Sequence, residues 1–363
     1  MRRALRLIAT VAGVAIVAAF LFAWSGIYNI AASRGHWLIS RLAIQFAMQS
    51  SVRTHAMGID VPPLDDAALV ERGAAHFQGS CALCHGAPGV ERNPVARRLI
   101  PEPPPLDRKV RDWKTRELFW IVKHGIKYTG MPAWVALERD DEVWAVVAFL
   151  EEMPGMSGET YRRLAFGELA DAGTTRRELL EGERTGEHVS ACARCHGFDG
   201  RGRESGAFPD IAGQPAPYLL RALREYASGI RPSGIMQPVA AELSDAEMRR
   251  LADHYARQRP RGGADLRGED VAAGRAIAAH GVPGRGIPAC NDCHGSRAAA
   301  DYPRLAGQYA QHTIQQIMLW RQDARGRGTY AEIMGPIAER LTDAEIRAVA
   351  AYYASVNRDG DAP

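Results

Sequence analysis

Cys-x-x-Cys-His occurs three times in this chain, as Cys81-Ala-Leu-Cys84-His85, Cys192-Ala-Arg-Cys195-His196 and Cys290-Asn-Asp-Cys293-His294. These motifs use all six cysteines. On a helical turn, residues three and four apart share a face, so two thiols and an imidazole can meet one flat group. The pattern is the attachment signature of c-type haem. Each cysteine pair adds to the two vinyl groups of one haem, and the adjacent histidine ligates the iron. Three covalently bound haem c groups are therefore expected, on Cys81 and Cys84, Cys192 and Cys195, and Cys290 and Cys293. A zinc site would need a second cysteine pair or spaced histidines in the same segment, and none is present. A thioredoxin-like motif needs a βαβ context, which the pattern lacks. Disulfides between adjacent pairs would leave the repeated histidine unexplained.

An electron-transfer haem takes a second axial ligand, and methionine raises its potential. Each segment offers one in a similar setting: Gly130-Met131-Pro132, Met236-Gln237-Pro238 and Met334-Gly335-Pro336. Met236 and Met334 each stand 40 residues after their histidines, and Met131 stands 46 after His85. The expected axial pairs are His85 with Met131, His196 with Met236, and His294 with Met334. Met248 and Met318 fall in helical apolar patterns and read as core filler. The eight remaining histidines, His36, His55, His76, His124, His188, His254, His280 and His312, repeat at no common position. They read as surface or structural groups.

The second and third segments are internal repeats. Phe208-Pro209-Asp210-Ile211-Ala212-Gly213-Gln214 aligns with Tyr302-Pro303-Arg304-Leu305-Ala306-Gly307-Gln308. A long amphipathic stretch begins near Tyr218 in one and near Tyr309 in the other. Each segment ends in a helix with a capping box, Ser244 to Glu247 and Thr342 to Glu345. These helices continue through Met248, Leu251 and Tyr255, and through Ile346, Val349 and Tyr353, at helical spacing. The first segment is a more distant relative, with a last helix running Val143, Trp144, Val147, Phe149 and Leu150. Gly73 and Phe77 precede the first motif, and Gly274 and Ile277 the third, where small residues would let two helices cross closely.

The pattern predicts an all-α chain. Gly/Pro punctuation sets the boundaries: an N-terminal anchor at 1–32, an apolar juxtamembrane segment at 33–65, and a first domain at 66–153. A linker follows at 154–187, with a short helix near Tyr161–Leu169. The second domain spans 188–259 and the third 266–357. Units of this size have modest cores, so haem is expected to supply much of the buried apolar surface.

Arg2, Arg3 and Arg6 precede an apolar run from Leu7 to Ile30. It is long enough to span a bilayer, which takes about 20 residues, and longer than the apolar region of a typical secretory signal. An uncleaved anchor with a cytoplasmic amino terminus follows, and the haem domains then face the periplasm. Attachment of haem c also requires export. The apolar stretch from His36 to Met57 admits two readings, a helix lying on the membrane or a partner, or a continuation of the anchor packed on the first domain.

The net charge of +3 is offset by haem propionates, and nothing points to nucleic acid. The stretch 91–127 is locally basic and reads as a solvated face, with docking to an acidic partner as the other possibility.

Residues 188–357 resemble the dihaem cytochrome c4 family. The carrying residues are Ala191-Cys-Ala-Arg-Cys-His-Gly197, Ile211-Ala-Gly-Gln214, Met236-Gln-Pro238, Ile287-Pro-Ala-Cys-Asn-Asp-Cys-His-Gly295, Leu305-Ala-Gly-Gln308 and Met334-Gly-Pro336. Residues 66–153 look like a class I cytochrome c domain. The resemblance implies three tandem class I cytochrome c domains behind a transmembrane helix, the last two forming a two-fold pair. It also implies that proline carbonyls in Glu102-Pro-Pro-Pro105 and at Pro209 and Pro303 accept the free N–H of the proximal histidines. The whole architecture is similar to the trihaem cytochrome subunits of membrane-bound bacterial dehydrogenases. It implies a non-enzymatic electron carrier with no catalytic residues, between a dehydrogenase subunit and a respiratory-chain acceptor in the inner membrane. The alternatives are an electron donor or tethered shuttle for a terminal oxidase, or a haem peroxidase.

Overall fold

The computed structural model describes residues 2–167, 189–296 and 299–357. Among them the structure is helical, with isolated bridges (Ala87 with Val90, Val282 with Ile287) and no strand. Helix α1, Arg2–Ser25, is 24 residues long and no residue of it is buried by protein. At about 1.5 Å per residue it is roughly 36 Å long, enough for a bilayer core. The chain then turns. Trp37 packs edge-on against Tyr28 at 5.1 Å and Phe22 at 6.0 Å, and the Tyr28 hydroxyl lies 2.7 Å from His36 Nδ1.

Helix α2, Leu38–His55, follows. It is separated from α1 by the turn, and its two halves differ. Val52 and Ala56 at its end are buried on the first domain, and the His55 ring lies 5.7 Å from that of Trp120. The first half carries Leu38, Ile39, Leu42, Ile44 and Phe46 exposed.

The first domain is built on α3 (Ala67–Ser80) and α7 (Asp140–Glu152), with α4 (Ala82–His85), α5 (Leu106–Lys109) and α6 (Thr115–His124) between them. Asp66 caps α3 by accepting from Ala68 N at 2.9 Å. Gly73 is the crossing point, since a Cβ there would lie 1.9 Å from the Ala145 carbonyl oxygen. The next turn of α3 brings Phe77 onto Phe149 at 5.2 Å.

The short helix expected near Tyr161–Leu169 forms, but as part of the first domain rather than of a linker. Residues Gly158–Phe166 form α8, capped by Ser157, and complete the first domain's core. Tyr161 is fully buried between Phe77 and Phe149 and donates to Gln78 Oε1 at 2.6 Å. The first domain therefore runs past residue 153, and most of the linker, with His188, lies outside the described residues.

The second domain contains α9 (Val189–His196), α10 (Ala216–Ala227), α11 (Met236–Ala241) and α12 (Asp245–Ala256). The third contains α13 (Glu269–His280), α14 (Asn291–His294), α15 (Ala310–Arg321), α16 (Ala331–Arg340) and α17 (Asp343–Ser355). Both capping boxes form as the sequence predicts, at Ser244 with Glu247 and at Thr342 with Glu345. Gly274 repeats the role of Gly73, with a Cβ position 2.0 Å from the Ala348 carbonyl oxygen. Met248 is buried and Met318 half-buried. The buried clusters here are small. One holds Leu219, Leu251, Ala252 and Tyr255, and the third domain's core is split in two.

Candidate metal centres

Each motif forms one closed helical turn. His85 N donates to Cys81 O at 3.0 Å, and His294 N to Cys290 O at 2.9 Å. That turn brings thiols and imidazole to one side. None of the cysteines is disulfide-bonded. Burial pushes the first thiol of each pair up, Cys81 to about 12 and Cys192 and Cys290 to about 11. Among the described residues no three His, Cys, Asp or Glu side chains converge as a metal cluster, which disfavours zinc.

Proline carbonyls orient the three imidazoles. His85 Nδ1 lies 2.9 Å from Pro104 O, His294 Nδ1 2.9 Å from Pro303 O, and His196 Nδ1 3.4 Å from Pro209 O. A carbonyl can only accept, so Nδ1 carries the proton and Nε2 keeps the lone pair that binds metal. Burial lowers the pKa of all three rings, against the raising effect of these hydrogen bonds, and keeps them neutral. A pair of free thiols beside an imidazole with a free Nε2 is the donor set that covalent haem c requires.

Arg92, one of the locally basic group, holds the first proline loop. It donates to Pro103 O at 2.7 Å and pairs with Glu102 at 2.7 Å. Lys109 and Lys123 pair with Asp112 and Asp140.

The methionines sit C-terminal to their histidines in each domain, all half-buried. Met131 lies in the loop after α6, Met236 opens α11, and Met334 lies within α16 two residues before Pro336. Of the histidines read as surface or structural, His76 is buried against Trp134.

The Ala-Gly-Gln repeats bind each other's domain. Gln214 Nε2 donates to Arg304 O at 2.8 Å and its Oε1 accepts from Arg304 N at 2.9 Å. Gln308 Nε2 donates to Asp210 O at 2.9 Å and its Oε1 accepts from Asp210 N at 3.0 Å. Residues 210 and 304 each follow the proline that orients a histidine. Each glutamine thus grips the backbone beside the other domain's proximal ligand. The sequence marks these glutamines as repeated, but not what they touch.

A family model described as Cytochrome c matches residues 184–255 and 271–357. A model described as Cytochrome C oxidase, cbb3-type, subunit III matches 68–150. The thiosulfate dehydrogenase electron acceptor of Stutzerimonas stutzeri is 40% identical over 173 residues, 46% of this chain and 80% of that protein. Cytochrome c4 of Azotobacter vinelandii is 32% identical, over 45% of this chain and 83% of that protein. The solved cytochrome c4 of Acidithiobacillus ferrooxidans is 34% identical, with a TM-score of 0.42, over 46% of this chain and 99% of that one. A solved thiosulfate dehydrogenase of Marichromatium purpuratum is 34% identical, with a TM-score of 0.41, over 46% of this chain and 36% of that one.

Helical domains with thioether-ready, proline-oriented Cys-x-x-Cys-His turns define a haem-binding electron-transfer protein. The chain belongs to the cytochrome c family, and nearly half of it resembles the dihaem cytochromes c4.

Proposed function

We propose that this chain is a membrane-anchored periplasmic trihaem cytochrome, the cytochrome subunit that takes electrons from a periplasmic dehydrogenase and passes them to the respiratory chain. The observation that carries it is the threefold repetition of one site in a single interlocked chain, each histidine held through Nδ1 by a proline carbonyl. Haem c, when bound, supplies a one-electron couple at each site. His85, His196 and His294 would hold the iron through Nε2, and Met131, Met236 and Met334 would supply its second ligands. A thioether favours the reduced state and raises the potential. The cysteine pairs would fix each macrocycle covalently, and burial with backbone hydrogen bonds would set its surroundings.

Similarity to thiosulfate dehydrogenase electron acceptors supports a dehydrogenase as donor. The helix α1 serves as an uncleaved anchor, and the exposed apolar half of α2 rests on the membrane surface. The packed end of α2 then ties the first domain close to the bilayer. N-terminal sequencing of protein from alkali-washed membranes checks this. Recovery of an intact amino terminus in the pellet is the expected result, and a mature start beyond residue 25 in the wash refutes it.

The match of residues 68–150 to an oxidase subunit model favours one second reading, an electron donor to a terminal oxidase. Mild-detergent purification from native membranes, with mass spectrometry of what accompanies the chain, separates the two. A co-purifying cofactor-bearing dehydrogenase supports the first, and oxidase subunits replace it with the second.

A further inference from the structure

We infer that Glu142, a residue of the first domain, is a positioning residue for the Met236 loop of the second, so that ligation of the second haem is set partly by its neighbour. The inference rests on Met236 being an axial ligand.

Glu142 opens α7 and is 3% exposed. Its Oε1 accepts from Ser233 Oγ at 2.6 Å and lies 2.9 Å from Arg139 Nη1. Its Oε2 accepts from Gly234 N at 2.6 Å and from Trp134 Nε1 at 3.3 Å. Having given its hydrogen to the carboxylate, Ser233 Oγ accepts from Met236 N at 2.9 Å and Ile235 N at 3.2 Å. A direct chain of hydrogen bonds therefore runs from a first-domain carboxylate to the amide of Met236. Arg139 adds a second tie, donating to Pro232 O at 2.8 Å while Asp141 holds its other side at 2.8 and 2.9 Å.

Shape points the same way. A Cβ at Gly234 would lie 2.1 Å from Trp134 Nε1, so the loop approaches as closely as glycine allows. Ile235 packs on the first domain's core. Trp134 itself follows Met131 by three residues, so one carboxylate touches the loops of two proposed ligands.

The chain contains its own comparison. Ser233-Gly234-Ile235-Met236 aligns with Ala331-Glu332-Ile333-Met334 in the third domain. The serine is replaced by alanine and the glycine by an exposed glutamate, and Ile333 is 46% exposed. Met334 N instead bonds the Tyr330 carbonyl of its own helix. The repeats thus diverge at the residues that meet the first domain. A carboxylate buried among four donors is kept only where each is satisfied. Second-shell partners of this kind set where a ligand sits and how firmly. In Glu142→Gln the amide nitrogen must face either Ser233 and Arg139 or Gly234 and Trp134, so half the contacts become donor against donor.

The test uses the full-length holoprotein with Ser233→Ala, Glu142→Gln and Met236→Ala in parallel, read by redox titration resolved into three potentials and by the methionine-to-iron charge-transfer band. Met236→Ala marks which potential belongs to the second haem. Ser233→Ala is expected to shift that potential and weaken the band by up to one haem's share. Glu142→Gln is expected to shift it also, with a smaller change at the first haem, and the third stays unchanged in both. If Ser233→Ala and Glu142→Gln lower thermal stability but leave the marked potential in place, Glu142 is merely structural and the inference fails. If Met236→Ala moves no potential, the ligand assignment itself falls. Should Glu142→Gln not fold, Ser233→Ala, which removes one hydroxyl, carries the decision.

Discussion

Gln214 and Arg304 are joined by two hydrogen bonds across the boundary between the second and third domains, 2.8 Å from the glutamine Nε2 to the Arg304 carbonyl and 2.9 Å from the Arg304 amide to the glutamine Oε1. Gln308 returns the same pair of bonds to Asp210. The amide of glutamine is matched to the backbone N–H and C=O of a single residue, one donor and one acceptor on each side. Both sets lie next to a proline that orients a proximal histidine.

Gln214→Ala should destabilise the pair of domains by about 1–3 kcal/mol, because it removes two hydrogen bonds to the Arg304 backbone in a half-buried setting. Gln308→Ala should act alike on Asp210. Chemical denaturation followed by far-UV circular dichroism measures this, and an unchanged midpoint in both variants counts against the clasp.

Gly73→Ala and Gly274→Ala should each cost about 1–3 kcal/mol, since the new methyl group meets helix backbone rather than a side chain that can move aside. Gly284→Ala, with nothing within 4 Å of its Cβ position, serves as the neutral comparison. Thermal unfolding midpoints of the three variants give the answer.

Acid should weaken the first domain through His76. Burial pushes its imidazole from 6.5 down to about 4, with the nearby Arg194 charge adding to the effect. The unfolded chain then binds a proton that the folded domain refuses. The stabilisation is fully present above pH 6.5 and is lost progressively as pH falls towards 4, a change on the order of 3 kcal/mol. His76→Phe should flatten the dependence of the unfolding midpoint between these values, and an equally steep curve in the variant refutes the assignment.

Met334→Ala should lower the potential of one haem, by a fraction of the ~0.8 V range that axial ligands span, and leave the other two in place. Because Met334 lies far along the chain from the Glu142 contacts, its effect should add independently to that of Ser233→Ala. Spectroelectrochemical titration of the single and double variants checks both points.

What was legible in the sequence was local or repeated. The capping boxes at Ser244 and Thr342 are read from four consecutive residues, and the structure forms both. Gly73 and Gly274 were visible because small residues at helical spacing imply a close crossing. The proline carbonyls facing the histidines came from family resemblance and sit within 20 residues of them. Glu142 was not legible, since in sequence it is one more acid in a helix's first turn. Its partners Ser233 and Gly234 lie some 90 residues away. Helix α8 was read as a short helix near Tyr161–Leu169, but its place in the first domain's core was not legible, for a related reason. Its few apolar residues, Tyr161, Ala165 and Phe166, look connective until the aromatic faces of Phe77 and Phe149 are there to receive them.

The reciprocal grip of Gln214 and Gln308 is isologous, in that each repeat uses the same patch on the other. Such an interface closes on itself. Once two repeats have paired, neither keeps a free copy of that patch, so tandem duplication cannot extend the array by the same contact. The first domain has to join through different chemistry, and here it does so through Arg139, Glu142 and Trp134 at the methionine edge of the second domain, through Glu71 and Arg72 to Arg203 and the Ala207 carbonyl, and through Arg72 and Asp141 to Gln315 of the third. The two-fold pair is thus closed by its own symmetry, and the first domain is attached to it by contacts that no repeat shares.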